Sequence, residues 1–427
     1  MHLVIIGNGM AGVACALEVR RRSSHPITII SEESPHFFSR PALMYLFMKQ
    51  ISQSDALPYG KDVFANNNIQ LVHDRVESID FGQKQIRLTN HSPIVYGKLM
   101  LATGSKAAKL NCPGEELSGI HSFYTIQDLN RLEHDSIHAS RAVVVGGGLI
   151  GVELAEMFRS RGMQVDWLIR EKRLMEHSLP AEESHVLSDH VGQKGVNINT
   201  NEVVSGFEAN SSGALGVVRT ASGRKLETPL AGIAIGVRPN VAFLQESGLH
   251  INRGIVVDAH FQTNIPDVFA AGDCAELRQV PQGYRAIEAT WYSARMQGVC
   301  AALNICGKGT PYSPPVLFNS AKFFDLEYQV YGNCPATPTV ESNISSYLWA
   351  NRQKNRLLRI YFNKSSEAIT GMSGLGIRLR QSVVSDWIKN LRPYSYAVKH
   401  IQQTFFDPEF SDILFDPISE RHPENYA

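Results

Sequence analysis

HLVIIGNGMAG, residues 2–12, and RAVVVGGGLIG, residues 141–151, are two apolar runs that each break into a G-x-G-x-x-G turn opening a small-residue helix. Apolar runs of this length suit buried parallel strands, and the three glycines divide the remaining work. Gly7 and Gly146 allow the tight turn, and Gly9 and Gly148 let the backbone approach a pyrophosphate. Gly12 and Gly151 let helix and strand pack closely. The first helical N–H groups, around Met10 and Ala11 and around Leu149 and Ile150, are then free to receive phosphate oxygens. Two dinucleotide sites in one chain imply two nucleotides meeting, and so electron transfer between them.

The strands that follow differ in their endings. PITIISEE, residues 26–33, closes on two acids, of which Glu32 lies near the spacing expected of a carboxylate that takes a ribose hydroxyl pair; a solvated strand end is the alternative. Glu33 beside it is a second candidate, with a surface position as its alternative. MQVDWLIREKR, residues 163–173, has Ile169 near the carboxylate position and Arg170 next. Arg170 suits a ribose 2′-phosphate and favours NADPH, whereas Glu171 would serve NADH, and both readings stand.

A chain of 427 residues exceeds what one hydrophobic core usually organises, so two or three domains are expected. Formal net charge is zero and no basic block carries interleaved aromatics, which argues against a nucleic-acid partner. No apolar run approaches the length of a membrane span, and the first strand is already under way at Leu3, so a cytoplasmic protein is expected. Cys15, Cys112, Cys274, Cys300, Cys306 and Cys334 show neither a C-x-x-C pair nor zinc spacing and read as packed, reduced thiols. No histidine spacing marks a metal set.

Between and beyond the two turns lie further candidates. In SPHFFSRPALMYLFMKQ, residues 34–50, Arg40 either neutralises a pyrophosphate or starts a helix at the surface. Alternating segments from Ile69 to Ile94 suggest an inserted meander. The strand KLMLATGSKA, residues 98–107, ends in Ala102, Thr103 and Gly104, where backbone can close on a nucleotide. Gly272 and Asp273 end another apolar strand, and Asp273 holds a sugar or ribityl hydroxyl or else caps a helix. YRAIEATWYSARMQGVCAALNICG, residues 284–307, reads as one long helix, with Trp291 covering a flat cofactor or filling core. Val384, Trp387, Ile388 and Leu391 share one face of a last helix, and the aromatic, acidic tail from Gln402 is expected to dock on its own body or another subunit. The expected division is residues 1–116 and 246–315 for the first nucleotide domain, 117–245 for the second and 316–427 for the remainder.

The order of motifs, GNGMAG, SRPALM, LATGS, GGGLIGVELAE, AIGVRPN, AGDCAE and EATWYSARMQG, resembles the two-dinucleotide flavoprotein reductases of the pyridine nucleotide-disulfide oxidoreductase superfamily. The nearest branch holds rubredoxin reductases, dioxygenase-type ferredoxin reductases and the nitrite reductase large subunit. The resemblance implies an α/β fold with two Rossmann-like domains, for FAD and NAD(P)H, and an α+β C-terminal domain. It implies FAD on Gly7, Gly9, Met10, Ala11, Gly12, Glu32, Glu33 and Arg40, with the Val76 backbone near adenine. Ala102, Thr103, Gly104, Gly272 and Asp273 complete that site. NAD(P)H is implied on Gly146, Gly148, Leu149, Ile150, Gly151 and Arg170, closed by Gly236. Glu153 and Trp291 match residues beside the nicotinamide and flavin, and Tyr45 stands where a flavin-side lysine is usual.

The disulfide-reducing members need cysteine after the first βαβ unit, and residues 34–50 contain none. The acceptor implied is therefore a small electron-carrier protein or a small molecule, with a homodimer through the C-terminal domain. An oxidase or quinone reductase, suited by the apolar run Ala42–Met48, is one alternative. A redox-responsive FAD/NAD(P)H-binding interaction protein is the other.

Overall fold

Leu3–Ile6 is buried along its whole length, as a strand covered on both faces of a parallel sheet must be. In the computed structural model, which describes residues 1–60, 62–281, 283–338, 342–351, 353 and 355–406, that strand is the centre of a five-stranded sheet. The order is Val268–Ala270, Lys98–Leu101, Leu3–Ile6, Ile27–Ser31, Ile69–His73, and every junction is parallel. The chain leaves the centre toward Ile27 and Ile69 and then returns to the other side at Lys98. The carboxyl ends of Leu3–Ile6 and Lys98–Leu101 therefore form a topological switch point, where open α/β sheets bind ligands.

Ile69–His73 corrects one expectation. It belongs to this parallel sheet, while the antiparallel insertion is Val76–Asp80, Gln85–Leu88 and Ile94–Val95. Its alternation reflects an edge strand covered unevenly on its two faces. The helix Met10–Arg22 lies against Trp291–Ile305, and a methyl at Gly298 would come 2.3 Å from the Ala11 carbonyl oxygen, so glycine sets that close approach. The second helix begins only at Trp291, because Thr290 caps it by accepting the Ser293 N–H; residues 284–290 are not helical.

These elements make one compact unit, residues 1–110, 121–138 and 235–314; the other comprises 111–120, 139–234 and 315–427. In the latter, Val196–Thr200, Gln164–Ile169, Arg141–Val145 and Ala231–Ile233 pair in parallel in that order. An antiparallel excursion, Val204–Ala209, Leu215–Thr220 and Lys225–Glu227, interrupts the repeat.

The C-terminal region is an antiparallel sheet ordered Phe318–Phe323, Leu326–Gly332, Ile369–Leu375, Leu357–Asn363, Ile344–Ala350. Val384 and Trp387 of helix Gln381–Lys389 and Ala397 of helix Tyr394–His400 share its core with Tyr331, Leu358, Ile360 and Met372. Leu391, expected on that buried face, is 69% exposed, because the helix stops at Lys389 and Leu391 takes a positive φ. Phe405 joins this core, whereas the tail expectation from residue 407 onward lies outside the described residues.

Two ion pairs, one buried and one part-buried, tie this sheet to the parallel-sheet half of its own unit. Arg359 donates to Glu183 at 2.7 and 2.9 Å, and Lys322 reaches Glu156 at 2.9 Å. Among the described residues no helix is long and apolar enough to cross a membrane.

Candidate functional site

At the first turn, Gly7 has φ +108°, and a methyl there would lie 2.0 Å from the Ala102 carbonyl oxygen. A methyl at Gly12 would lie 2.1 Å from the Gly7 oxygen, so both positions exclude a side chain. Gly9 behaves oppositely. It is the N-cap of helix Met10–Arg22, with no side-chain cap, and a methyl on it meets nothing within 4 Å. Uncapped N–H groups beside open space make a cradle for an anion, which suits a pyrophosphate.

Glu32 and Glu33 part company. The Glu32 side chain is half exposed, 3.7 Å from Arg75 Nε. Glu33 is turned inward: Arg40 donates to both its oxygens, at 2.7 and 3.1 Å, and the Ile126 N–H donates at 3.0 Å. The surface reading of Glu33 gives way to this pair; Arg40 does start a short helix, Arg40–Ala42, with its side chain 35% exposed. Arg40 also donates to the Tyr124 carbonyl, and its guanidinium stands 4.3 Å from the centre of the Tyr124 ring.

Tyr124 and Ser105 connect this cluster to Asp273. The Ser105 hydroxyl donates to Asp273 Oδ2 at 3.2 Å, and the Tyr124 hydroxyl stands 3.5 Å from the same oxygen. Burial raises the Asp273 carboxyl, opposed by Ser105 and Arg40. Asp273 follows Gly272, whose φ is +82°. The Ala102–Gly104 turn is clasped from outside, since Thr103 Oγ1 donates to the Asn240 carbonyl and the Asn240 N–H to the Gly104 carbonyl, both at 2.9 Å. Val76 opens its strand half-buried, after a loop fixed by Asp74, which accepts from the N–H groups of Arg75, Asn90 and His91 and from His91 Nδ1. Tyr45 lies half-buried on helix Leu43–Phe47, and Trp291 is the first residue of its helix, partly buried against the core.

The second turn repeats the logic with one addition. Gly146 has φ +111°, and a methyl at Gly151 would lie 2.2 Å from its oxygen. Trp167 Nε1 donates to that same Gly146 oxygen at 2.9 Å, so a buried indole braces the turn. Gly148 caps helix Leu149–Ser160 with nothing within 4 Å of a methyl, a second open cradle, where Leu149 is 36% exposed and Ile150 half-buried.

At the end of the next strand, Arg170 is 73% exposed and donates to Glu171 at 2.7 Å. Glu171 is only 18% exposed, and its Oε2 would be 3.7 Å from a methyl on Gly147. Burial works to raise its carboxyl, yet the Arg170 hydrogen bond and charge hold it below the usual range. Glu153, on the helix that Gly148 caps, is pushed up to about 7 by burial and then by Glu156. Glu156 itself accepts from Lys322 and from the Phe324 N–H at 3.0 Å. Gly236, in the other unit, has φ +105° with open space on its Cβ side.

Among the described residues all six cysteines are free, and burial raises the thiol of the fully enclosed Cys15. Tyr124, Ser105, Asn240 and Trp167 are the site residues that sequence reasoning missed. Each acts through a partner distant in sequence, and only the apolar setting of Trp167 in its strand gave a signal.

Two parallel sheets, each ending in an open glycine cradle at its carboxyl edge, define a flavin- and nicotinamide-dinucleotide-binding reductase. The chain belongs to the pyridine nucleotide-disulphide oxidoreductase family, whose model matches residues 1–298. It is thus a FAD-dependent NAD(P)H oxidoreductase. It is 30% identical to rubredoxin-NAD(+) reductase of Pseudomonas putida over 331 residues, 77% of this chain and 86% of that one. It is 31% identical to nitrite reductase (NAD(P)H) of Bacillus subtilis over 334 residues, 76% of this chain but 40% of that longer protein. Its fold matches the putidaredoxin reductase of a covalent complex with putidaredoxin, with TM-score 0.80 and 23% identity over 91% of this chain and 92% of the other.

Proposed function

We propose that this chain draws hydride from NADH and delivers electrons to a small redox-carrier protein. The observation that carries the reading is the pair of open cradles in a chain whose first nucleotide domain places no cysteine in residues 34–50 and keeps Cys15 fully enclosed. Electrons therefore leave without passing through a protein disulfide. A relative named for rubredoxin and a structural neighbour joined to putidaredoxin support a protein acceptor. Glu171 supports NADH over the NADPH that Arg170 alone suggests. A carboxylate held ionised beside the glycine turn accepts from ribose hydroxyls and repels a 2′-phosphate, and Arg170 is already paired with it.

FAD, when bound, supplies the chemistry, accepting two electrons as hydride and releasing them one or two at a time. The chain's own residues do the rest. The N–H groups after Gly9 and Gly148 would hold the two pyrophosphates, and Glu32 would accept from ribose hydroxyls. Asp273, kept in place by Ser105 and Tyr124, would accept from the flavin's polyol chain. Glu153, whose carboxyl is pushed up to about 7, exchanges its proton near neutral pH.

Anaerobic stopped-flow absorbance with NADH and, separately, NADPH tests the donor half, and added rubredoxin or ferredoxin tests the acceptor half. The expected result is rapid flavin bleaching by NADH, slower bleaching by NADPH, and re-oxidation by the carrier. Fast re-oxidation by oxygen or quinone with none by either carrier would overturn the protein-acceptor reading.

A further inference from the structure

Behind the Gly272–Asp273 turn lies a buried row of hydrogen bonds that cofactor contact does not require. The Gly272 N–H donates to Gln297 Oε1 at 2.8 Å. Gln297 Nε2 donates to Glu288 Oε2 at 3.2 Å, and the Tyr312 hydroxyl donates to the same oxygen at 3.1 Å. Gln297 is 2% exposed and Glu288 6%. A backbone N–H can only donate, so the amide oxygen of Gln297 must face Gly272 and its NH2 must face Glu288. The direction of the whole row is fixed by chemistry: Glu288 accepts at one end, and the Gly272 N–H is held at the other.

Among the described residues the acid in this row has no counter-charge. Burial raises the Glu288 carboxyl, opposed only by hydrogen bonds from Gln297, Tyr312 and Ser293, all neutral. A buried carboxyl with neutral partners is unfavourable for folding alone, and here one of its donors is the side chain that pins the turn. Gly272 has no slack on its other side either. A methyl there would sit 3.0 Å from the Ala11 Cβ, on the helix that Gly9 caps. The residue that follows this pinned glycine is Asp273, already steered by Ser105 and Tyr124.

We propose that Gln297, oriented by Glu288 and Tyr312, is a positioning residue that aims Asp273 at the polyol chain of the flavin cofactor. This rests on the reading of Asp273 as a ligand of that chain. Without the Gln297 oxygen the Gly272 N–H is left buried and unpaired, and the turn relaxes to find another acceptor.

The test is FAD affinity, read by fluorescence quenching as FAD is titrated into the full-length apoprotein, for Q297M, E288Q, E288L, Y312F, D273A and the double variant D273A/Q297M. Q297M keeps the volume and removes both hydrogen bonds; about tenfold weaker FAD binding is expected. E288L should do the same, while E288Q, which keeps an acceptor oxygen for Gln297, should restore wild-type affinity. D273A/Q297M should bind no more weakly than D273A alone, because one residue acts through the other. Should Q297M fail to fold, Y312F is the milder variant, with about threefold weakening expected. Wild-type affinity in both Q297M and Y312F, or fully additive losses in the double variant, would overturn the proposal. Wild-type affinity in D273A would instead overturn the ligand reading of Asp273.

Discussion

Replacing Glu153 by Gln removes the titration of a partly buried carboxyl and should change how stability depends on pH. The Glu153 carboxyl is pushed from an ordinary 4.5 to about 7, first by burial and then by Glu156. Below the unfolded value both states carry the proton, and Glu153 contributes no penalty. Between about 4.5 and about 7 the unfolded chain ionises while the native chain stays protonated, so stability falls as pH rises. Above about 7 both are ionised, and the native state bears the full difference. At about 1.4 kcal/mol per pH unit that difference is on the order of 3 kcal/mol. Glutamine does not titrate, so the stability of E153Q relative to wild type should improve by about this amount between pH 4.5 and pH 8. Any constant offset from lost contacts leaves that slope untouched. Urea unfolding of nucleotide-free protein at several pH values, followed by tryptophan fluorescence, measures it. Parallel pH curves for the two proteins would show that Glu153 titrates normally and that the burial argument is wrong.

The glycines should separate by role: a methyl on Gly9 meets no atom within 4 Å, so G9V should fold while losing FAD, whereas G12A, with a methyl 2.1 Å from the Gly7 oxygen, should lose stability as well. Thermal unfolding and flavin content measured together check this, and equal instability in the two would remove the case for an open cradle at Gly9. E171A should raise KM for NADH about tenfold with little change for NADPH, by steady-state kinetics; the reverse pattern would return Arg170 to the role of 2′-phosphate reader. Asp74 is held below its ordinary 3.8, with burial opposed by hydrogen bonds from His91, Asn90 and Arg75. Its contribution is therefore present above the unfolded value and lost as pH falls, so D74N should show a shallower acid limb in thermal unfolding. An unchanged limb would mean that other carboxylates dominate acid unfolding.

What was legible in the chain is what local geometry dictates. The three glycines of each turn are readable because positive φ and backbone contact are written into residue type. The carboxylate ending Ile27–Ser31 was readable to within one position only. Glu32 and Glu33 look alike in sequence, and it takes Arg40 and the Ile126 N–H to turn one of them inward. Arg40 could not be assigned from its own neighbourhood, because its aromatic partner Tyr124 is 84 positions away. Ile69–His73 reads as meander because its alternation is that of any half-covered strand, whereas its partner Ile27–Ser31 decides its sheet. Leu391 kept the helical period of its predecessors but not their helix, since periodicity does not mark where a turn of backbone ends.

The helix contact at Gly298 bears on when the protein becomes competent during its own synthesis. The first nucleotide unit needs strand Val268–Ala270 to fill its sheet and helix Trp291–Ile305 to back the helix that Gly9 caps. The parallel strands Arg141–Val145 through Ala231–Ile233 are all made earlier. On the ribosome, the parallel sheet of the second glycine turn can therefore close while that of the first is still missing a strand, although the latter begins at the N-terminal end. With flavin held on the first turn, as proposed, its capture falls late, and a chain truncated before Ile305 should carry the second sheet without colour.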